Sequence, residues 1–310
     1  MTSTTSFTGR LRSRLSATAF HPDLRTASRV LPPAAVAGPR SLALSRRMSS
    51  HRPVAGAYTA SVGDGETLVY RPRGAVRGGV LWIHGGGMVI GSPQQDARLC
   101  RRIAEDLDAV VVAPRYRLAP EHPFPAPLED CYAALRWLAA LQELADVPLV
   151  VAGASAGGGL AAGVVLAARD RGEVRIDKQV LVYPMLDDRT AAGADPAADV
   201  RRVWNNTANA FGWRSYLGFA PGSADVSPYA APARATDLAG LPPTWIGVGT
   251  SDLFHDEDVL YAERLRAAGV PTDLEVVPGA FHAFDGLPTE VSRGFVESYL
   301  RAIATGLVVA

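Results

Sequence analysis

The sequence predicts an α/β fold in which a mostly parallel central sheet is flanked by helices. From about residue 66 onward, short continuous apolar runs alternate with helical stretches. Such runs are typical of strands that are covered on both faces, and a strand–helix–strand order favours parallel pairing. With 310 residues, 48% of them hydrophobic, the chain can build one large domain with a sizeable core.

Seven short apolar runs are the candidate strands of this sheet. The clearest candidate helix covers residues 126–144, where one apolar stripe recurs every three or four residues. A second candidate helix, at residues 159–169, is rich in alanine. The predicted strands are residues 68–70, 80–83, 109–113, 149–152, 179–183, 244–248 and 273–277, and the stripe consists of Leu128, Cys131, Leu135, Leu138 and Leu141.

Two segments interrupt the alternation of strands and helices. Residues 1–50 contain no strand signal, and residues 186–240 separate two predicted strands by more than an ordinary loop. Connections of this length inside a compact domain are usually lids or binding loops. The aromatic residues of the second segment, which include Trp204 and Phe211, either fill a small core of their own or present an apolar face to a ligand, and the two interpretations are compatible.

Composition and charge argue against a nucleic acid or a membrane as the partner of this protein. The chain has 31 basic and 31 acidic residues, so no basic surplus indicates a nucleic-acid partner. Residues 1–50 hold eight arginines and one acid, which we interpret as a solvated tail and a surface helix rather than a membrane or partner patch. Residues 148–168 carry no charge, but their glycines indicate a strand, a turn and a buried helix and no integral membrane segment.

The two cysteines and the N-terminal composition bear on the compartment. Cys100 and Cys131 lie far apart in predicted helices and form neither a disulfide pattern nor a metal-ligand spacing. We therefore expect reduced core thiols and no metal site. The N-terminal residues lack the apolar stretch of a secretory signal, and the expected location is the cytoplasm.

The most informative motif is Gly153-Ala154-Ser155-Ala156-Gly157, which lies between a predicted strand and a predicted helix. In a Gly-x-Ser-x-Gly pattern, a tight strand-to-helix turn can project the serine hydroxyl as a nucleophile. The two glycines let strand and helix approach closely, and the two alanines keep the turn small. Taken alone, these residues also fit a glycine-rich turn of any α/β protein.

A serine nucleophile requires a base that removes its proton and a carboxylate that orients the base. The working residues of open α/β sheets follow the carboxyl ends of strands. Asp252 is the first acid after the predicted strand at residues 244–248, and His282 follows the predicted strand at residues 273–277. The order Ser155, Asp252, His282 is the one expected for an α/β hydrolase.

Other acids and histidines compete for these two roles. The three acids that follow Asp252 closely fit the first turn of a helix, where the helix dipole favours negative charge. A lone histidine is more often structural than catalytic, whereas the position of His282 follows from that of the serine. The competitors are Asp256, Glu257, Asp258, His21, His51, His122 and His255.

A glycine-rich loop, His84-Gly85-Gly86-Gly87, comes directly after the predicted strand at residues 80–83. Acyl transfer places negative charge on the former carbonyl oxygen, which needs fixed N–H donors about 3 Å away. Glycines let the backbone come that close, and the amide of Ala156 would complete the pocket. The alternative of a phosphate-binding loop is disfavoured because Lys178 is the only lysine and no Gly-x-Gly-x-x-Gly pattern is present.

With these motifs in place, the chain resembles the hormone-sensitive-lipase-like family of α/β hydrolases, the bacterial carboxylesterases. The resemblance runs from about residue 60 to residue 305. It rests on residues 84–87, 116–126, 153–158, 252–257 and 278–284. Three residues depart from the family pattern and bear on substrate preference: Ala154 stands where many members have Asp, Met88 where an aromatic is usual, and Leu253 where Pro is common.

The resemblance implies the α/β-hydrolase fold with a helical cap, built from the N-terminus and from an insertion after the strand near residue 183. We therefore divide the chain into a disordered tail at residues 1–18, N-terminal cap helices at residues 19–50 and a catalytic domain at residues 51–305. The cap insertion occupies about residues 186–222 of that domain.

The predicted function is hydrolysis of short-to-medium acyl esters through a serine triad and an acyl-enzyme, without a cofactor or metal. The expected partner is a small-molecule ester, and a homodimer is left open. Two alternatives are an amide or thioester hydrolase with the same triad and a non-catalytic ligand-binding protein on the same fold. The resemblance assigns Ser155, Asp252 and His282 to the triad and the amides of Gly86, Gly87 and Ala156 to the oxyanion hole, and we expect Met88, Trp204 and Phe211 to contact the substrate.

Overall fold

A computed structural model describes residues 19–308, apart from residues 37, 49–53, 55 and 64. These residues form an eight-stranded, mostly parallel sheet with helices on both faces, so the predicted fold class is confirmed. The predicted tail at residues 1–18 and the competing His51 lie outside the described residues.

Strands and helices alternate along most of the described chain. The strands are β1 (Ala57–Val62), β2 (Gly65–Tyr70), β3 (Gly78–Ile83), β4 (Ala109–Pro114), β5 (Leu149–Ala154), β6 (Lys178–Val182), β7 (Thr244–Gly249) and β8 (Thr272–Val277). The α-helices are α1 (Arg25–Val30), α2 (Pro39–Met48), α3 (Ala97–Asp106), α4 (Ala126–Ala139), α5 (Ala156–Arg171), α6 (Asn206–Leu217), α7 (His255–Ala267) and α8 (Glu290–Gly306). The sheet order is β1-β2-β4-β3-β5-β6-β7-β8; the β1–β2 and β2–β4 pairs are antiparallel and all later pairs are parallel.

The structure adds one strand that was not predicted and shortens one predicted helix. Sequence reasoning missed β1, which precedes the first predicted strand. The helix predicted at residues 126–144 ends at Ala139, because the Leu141 amide bonds to the Leu138 carbonyl at 3.1 Å in a tighter turn and Leu141 then takes an extended conformation (ψ 126°). A separate one-turn helix at Gln142–Leu144 follows.

Apolar side chains fill both faces of the sheet. In β5, Val150 and Ala152 belong to one buried cluster and Val151 belongs to the other, as the two-residue period of a strand requires. Helices α3 and α8 cover the first cluster, whereas α4, α5 and α7 cover the second. The strands therefore read as continuous apolar runs rather than as alternating ones.

The N-terminal segment and the insertion after β6 contact one another. The Ala35 amide donates to the Val203 carbonyl, and the Val203 amide donates to the Pro32 carbonyl, both at 2.8 Å. The N-terminal segment also reaches the loop after β8, where the His21 amide donates to the Gly279 carbonyl at 2.9 Å. Among the described helices, none combines the length and the apolar character needed to cross a membrane.

Candidate active site

Ser155 occupies the turn between β5 and α5 with backbone angles φ 57° and ψ −123°. A positive φ is unusual for a residue with a side chain, so the surroundings must hold this conformation. The Ser155 amide donates to the Val182 carbonyl at 2.9 Å, and the Ser155 carbonyl accepts from the Met185 amide at 3.0 Å. The end of β6 thus fixes the turn that carries the serine.

Gly153 and Gly157 are required by the packing around this turn. A Cβ atom on Gly153 would lie 2.3 Å from the Gly157 carbonyl oxygen. A Cβ atom on Gly157 would lie 2.1 Å from the carbonyl oxygen of Ile83 in β3. Since both distances are far below van der Waals contact, a larger residue at either position would force α5 away from the sheet.

His282 links Ser155 to Asp252 through two hydrogen bonds. Its Nε2 atom lies 2.8 Å from Ser155 Oγ, and its Nδ1 atom lies 2.8 Å from Asp252 Oδ2. An ionised carboxylate only accepts, so Nδ1 carries the ring proton of the neutral imidazole and Nε2 is left to accept from the serine hydroxyl. The relative exposures of Ser155, Asp252 and His282 are 7%, 1% and 4%, so little water reaches this relay.

Aromatic packing and backbone bonds hold the imidazole in place. The Phe254 ring meets the His282 ring edge-on at 5.2 Å and 87°, and the Tyr183 ring lies 4.8 Å away. The loops that carry Asp252 and His282 are joined by the Ser251 amide, which donates to the Ala280 carbonyl at 2.9 Å. The acid and the base are therefore positioned as one unit.

Arg201 ties Asp252 to the segment between β6 and β7. Its Nη1 donates to the Asp252 carbonyl at 2.6 Å, and its Nη2 pairs with Asp195 at 3.1 Å. Both side chains of this ion pair are almost fully buried. Loss of one partner of such a pair leaves an uncompensated buried charge, so the pair restrains both the insertion and the loop of the acid.

The glycine loop after β3 forms a tight turn beside Ser155. Gly86 and Gly87 have φ angles of 129° and 60°, and the Gly86 carbonyl accepts from the amides of Val89 and Ile90. Within the described part of the chain, the amides of Gly86, Gly87 and Ala156 donate to no protein acceptor. The assignment of these three N–H groups to an oxyanion hole stays a prediction.

The side chain of His84 stabilises the glycine loop. Its ring stacks on Tyr116 at 4.2 Å, and the Tyr116 hydroxyl donates to the His84 carbonyl at 3.0 Å. Burial lowers the pKa of His84 to about 4, so the imidazole is neutral at physiological pH. Its Nδ1 lies 2.9 Å from the Gly85 carbonyl, which keeps the loop close to the ring.

A cavity of about 920 Å³ opens onto Ser155 and His282. Trp204 lines it, and its contact with the substrate stays a prediction. Met88 and Phe211 are not among its lining residues: Met88 is fully buried in the core with a φ of 66°, and Phe211 packs against the same core. This cavity therefore does not support the predicted substrate contacts of these two side chains.

The competing acids and histidines lie in other environments. Asp256 is exposed and bonds to His255, whereas Glu257 accepts from the amides of Leu186 and Asp187. The remaining described competitors are Asp258, which is buried, His21, which accepts from the Asp23 amide, and His122, which is exposed. In residues 19–308 as described, no three His, Cys, Asp or Glu side chains are grouped so as to hold a metal ion.

Sequence reasoning missed several residues that contact the relay or its loops. The sequence contained a signal that could have identified Tyr116, since this residue begins the motif at residues 116–126. No sequence signal identified Tyr183 or Arg201, because the contacts of both residues depend on how distant segments pack.

Comparisons with known proteins agree with this geometry. A family model described as alpha/beta hydrolase fold matches residues 80–286. Esterase LipI of Mycobacterium tuberculosis is 40% identical over 238 residues, which are 74% of this chain and 71% of LipI. An ethyl acetate hydrolase of Pseudomonas putida is 34% identical over 238 residues, which are 71% of this chain and 72% of that protein.

A solved structure extends the similarity to nearly the whole chain. The structure of a bacterial heroin esterase superposes with a TM-score of 0.84 at 36% identity, and covers 95% of this chain and 100% of its own. The elements described above therefore recur in a protein of the same size and architecture.

Proposed function

This chain belongs to the hormone-sensitive-lipase-like family of α/β hydrolases and is a carboxylic ester hydrolase, and on that premise we propose that it is a serine esterase with Ser155 as the nucleophile. The observation that carries the proposal is the unbroken hydrogen-bond line from Ser155 Oγ through His282 to Asp252. A hydroxyl group gains nucleophilic strength when a base accepts its proton and a carboxylate orients that base.

In the first half of the proposed reaction, Ser155 Oγ attacks the ester carbonyl carbon while His282 Nε2 takes the hydroxyl proton. Asp252 keeps the imidazole oriented and stabilises its positive charge. The carbonyl oxygen becomes an oxyanion that accepts hydrogen bonds from the free amides of Gly86, Gly87 and Ala156. In this proposal the turn of the glycine loop holds the donors before the reaction begins, and such preorganised donors stabilise charge without reorganisation.

In the second half, the tetrahedral intermediate collapses and the imidazolium gives its proton to the departing alcohol. The acyl group remains on Ser155 Oγ as an ester. Water then attacks this acyl-enzyme with His282 again as the base, and the carboxylic acid leaves.

The substrates that fit the cavity best are short-to-medium acyl esters. Trp204 contacts the glycine loop so closely that a Cβ atom on Gly87 would lie 2.1 Å from the indole ring. Trp204 and Gly87 both line the cavity of about 920 Å³ that contains Ser155, so this close contact limits the space for an acyl group between them. The similarity to an ethyl acetate hydrolase supports a small acyl group.

The N-terminal segment and the insertion together form the cap in this proposal. Ala35, Val203 and Trp204 line the same cavity as Ser155, which supports a cap over the nucleophile. The predicted boundaries at residues 19–50 and 186–222 are retained for these two parts of the cap.

Hydrolysis of p-nitrophenyl esters of increasing acyl length tests the proposal. The wild type should cleave the acetate and butyrate faster than the dodecanoate, and Ser155→Ala should lose at least about 10⁴-fold in kcat. Ser223→Ala, which alters a serine bonded only to the Ala220 carbonyl, is the matched control and should retain full activity. Equal rates of the wild type and Ser155→Ala would refute the assigned nucleophile.

A further inference from the structure

Two aspartates on the wall of the active-site cavity take no part in the proposed relay. Asp96 accepts from the Trp82 indole N–H at 2.8 Å, and Asp285 accepts from the Tyr183 hydroxyl at 2.6 Å. Neither carboxylate pairs with a basic side chain anywhere in the described part of the chain. Carboxylates with limited access to water normally have a counter-charge, and here none is supplied by a neighbouring residue.

The surroundings of both carboxylates are aromatic. Trp82, Tyr183 and Tyr299 line the same cavity, and the ring centroids of Trp82 and Tyr299 are 6.0 Å apart. Tyr299 is only 3% exposed, and its hydroxyl has no hydrogen-bond partner among the described residues. Aromatic faces next to carboxylates are the surroundings that favour a positively charged amine.

Burial raises the pKa of both aspartates. Burial, together with the charge of Asp285, raises the pKa of Asp96 to about 6. Burial likewise raises the pKa of Asp285, while its hydrogen bond with Tyr183 and the nearby His282 act in the opposite direction. Near neutral pH the cavity wall therefore carries negative charge that a bound cation would stabilise.

Three arginines also line the cavity, but none of them forms an ion pair with Asp96 or Asp285 in the described part of the chain. Arg98 and Arg293 are exposed, and Arg102 is already bonded to Glu297 and Asp106. Arg293 also donates to the Pro288 carbonyl at 3.4 Å. Neither aspartate therefore has an arginine as its ion-pair partner among the described residues.

We propose that this cavity selects esters whose alcohol part carries a positively charged amine, held by Asp96 and Asp285 and by the faces of the neighbouring aromatic rings. The alcohol side is favoured because His282 must protonate the departing alcohol, and Tyr183 and Asp285 flank His282. The inference rests on the proposed esterase function and adds the chemical class of its substrate.

A pair of esters with the same shape and different charge tests the inference. One is 2-(trimethylammonio)ethyl acetate, and the other is its neutral isostere 3,3-dimethylbutyl acetate. The wild type should show a kcat/KM at least about tenfold higher for the cationic ester. Asp96→Asn and Asp285→Asn keep acceptor oxygens for the Trp82 and Tyr183 donors, and each should lower this ratio about threefold or more while hydrolysis of the neutral ester persists.

Glu297→Gln is the matched control, because it removes an acid that is already paired with Arg102 and should leave the ratio unchanged. Tetramethylammonium chloride should inhibit wild-type hydrolysis of p-nitrophenyl acetate more strongly than sodium chloride at equal ionic strength, a measurement that needs no variant. A wild-type ratio near one, or a ratio that both Asn variants preserve, would overturn the inference. Failure of the wild type to cleave p-nitrophenyl acetate and the neutral ester would instead overturn the proposed function.

Discussion

At the scale of single residues, Gly87 shows how tightly the site is built. Its φ of 60° lies in the left-handed region, and its Cα faces the Trp204 ring without room for a methyl group. The same residue offers one of the three free amides beside Ser155. Replacement by alanine would therefore disturb a proposed oxyanion donor without altering any titratable group.

We expect Gly87→Ala to lower kcat by about 10²-fold with little change in KM, because the donor acts mainly on the transition state. Gly286→Ala is the control, since Gly286 lines the same cavity but a Cβ atom there would meet nothing within 4 Å. Steady-state kinetics on p-nitrophenyl acetate measure both variants. Equal kcat values for the two variants would show that the turn at Gly87 does not position a catalytic donor.

At the scale of elements, α7 anchors the start of the insertion after β6. Glu257, in the first turn of α7, accepts from the amides of Leu186 and Asp187 at 2.8 and 3.1 Å and also contacts the Thr190 hydroxyl. Burial raises the pKa of this carboxyl to about 8. The folded state thus holds a proton on Glu257 at pH values where the unfolded chain, with an ordinary carboxyl, has lost it.

Because the folded state binds more protons between about pH 4.5 and 8, Glu257 makes the free energy of unfolding fall as the pH rises through this range. Glu257→Gln cannot titrate, so across this range its free energy of unfolding should fall less, or rise more, than that of the wild type. Urea unfolding at pH 5, 6, 7 and 8 measures both slopes. Parallel slopes would show that Glu257 does not carry the proton assigned to it.

The sequence predicts secondary-structure elements correctly where burial of both faces leaves a run of apolar residues. The central strands are covered on both faces and therefore appear as apolar runs, and Ser155 and Asp252 each follow one of them. His282 follows the edge strand β8, which is only partly buried. β1 escaped prediction because it is an edge strand whose side chains are mostly exposed, so that Ala57–Val62 contains no apolar run. The burial of Glu257 could not be predicted from the sequence either, because an acid in the first turn of a helix is usually solvated.

At the scale of the whole molecule, the N-terminal segment supports the loop that carries His282. The Phe20 ring meets the Phe281 ring edge-on at 6.0 Å, and the Arg202 guanidinium lies 5.0 Å above the Phe20 ring. Phe281 directly precedes His282, so a residue from one end of the sequence braces the base from the other end. Sequence periodicity could not reveal this contact, because it joins segments about 260 residues apart.

Phe20→Ala should lower the free energy of unfolding by about 3 kcal/mol, the usual cost of truncating a buried phenylalanine. It should also reduce kcat, because the loop of His282 loses its support. Phe219→Ala, which truncates a ring that is 44% exposed, should change the free energy of unfolding by less than about 0.5 kcal/mol. Chemical denaturation measures the free energy of unfolding of both variants, and steady-state kinetics measure kcat. An unchanged kcat in Phe20→Ala would show that the N-terminal segment does not support catalysis.

The central claim is that Ser155 attacks the ester carbonyl and carries the acyl group, with His282 and Asp252 as its activating pair. Covalent trapping with diethyl p-nitrophenyl phosphate, followed by peptide mass spectrometry, tests this claim most directly. The account predicts one phosphorylated residue, Ser155, together with complete loss of esterase activity, and no labelling of Ser155→Ala. Stoichiometric labelling of a different residue in step with the loss of activity would contradict it.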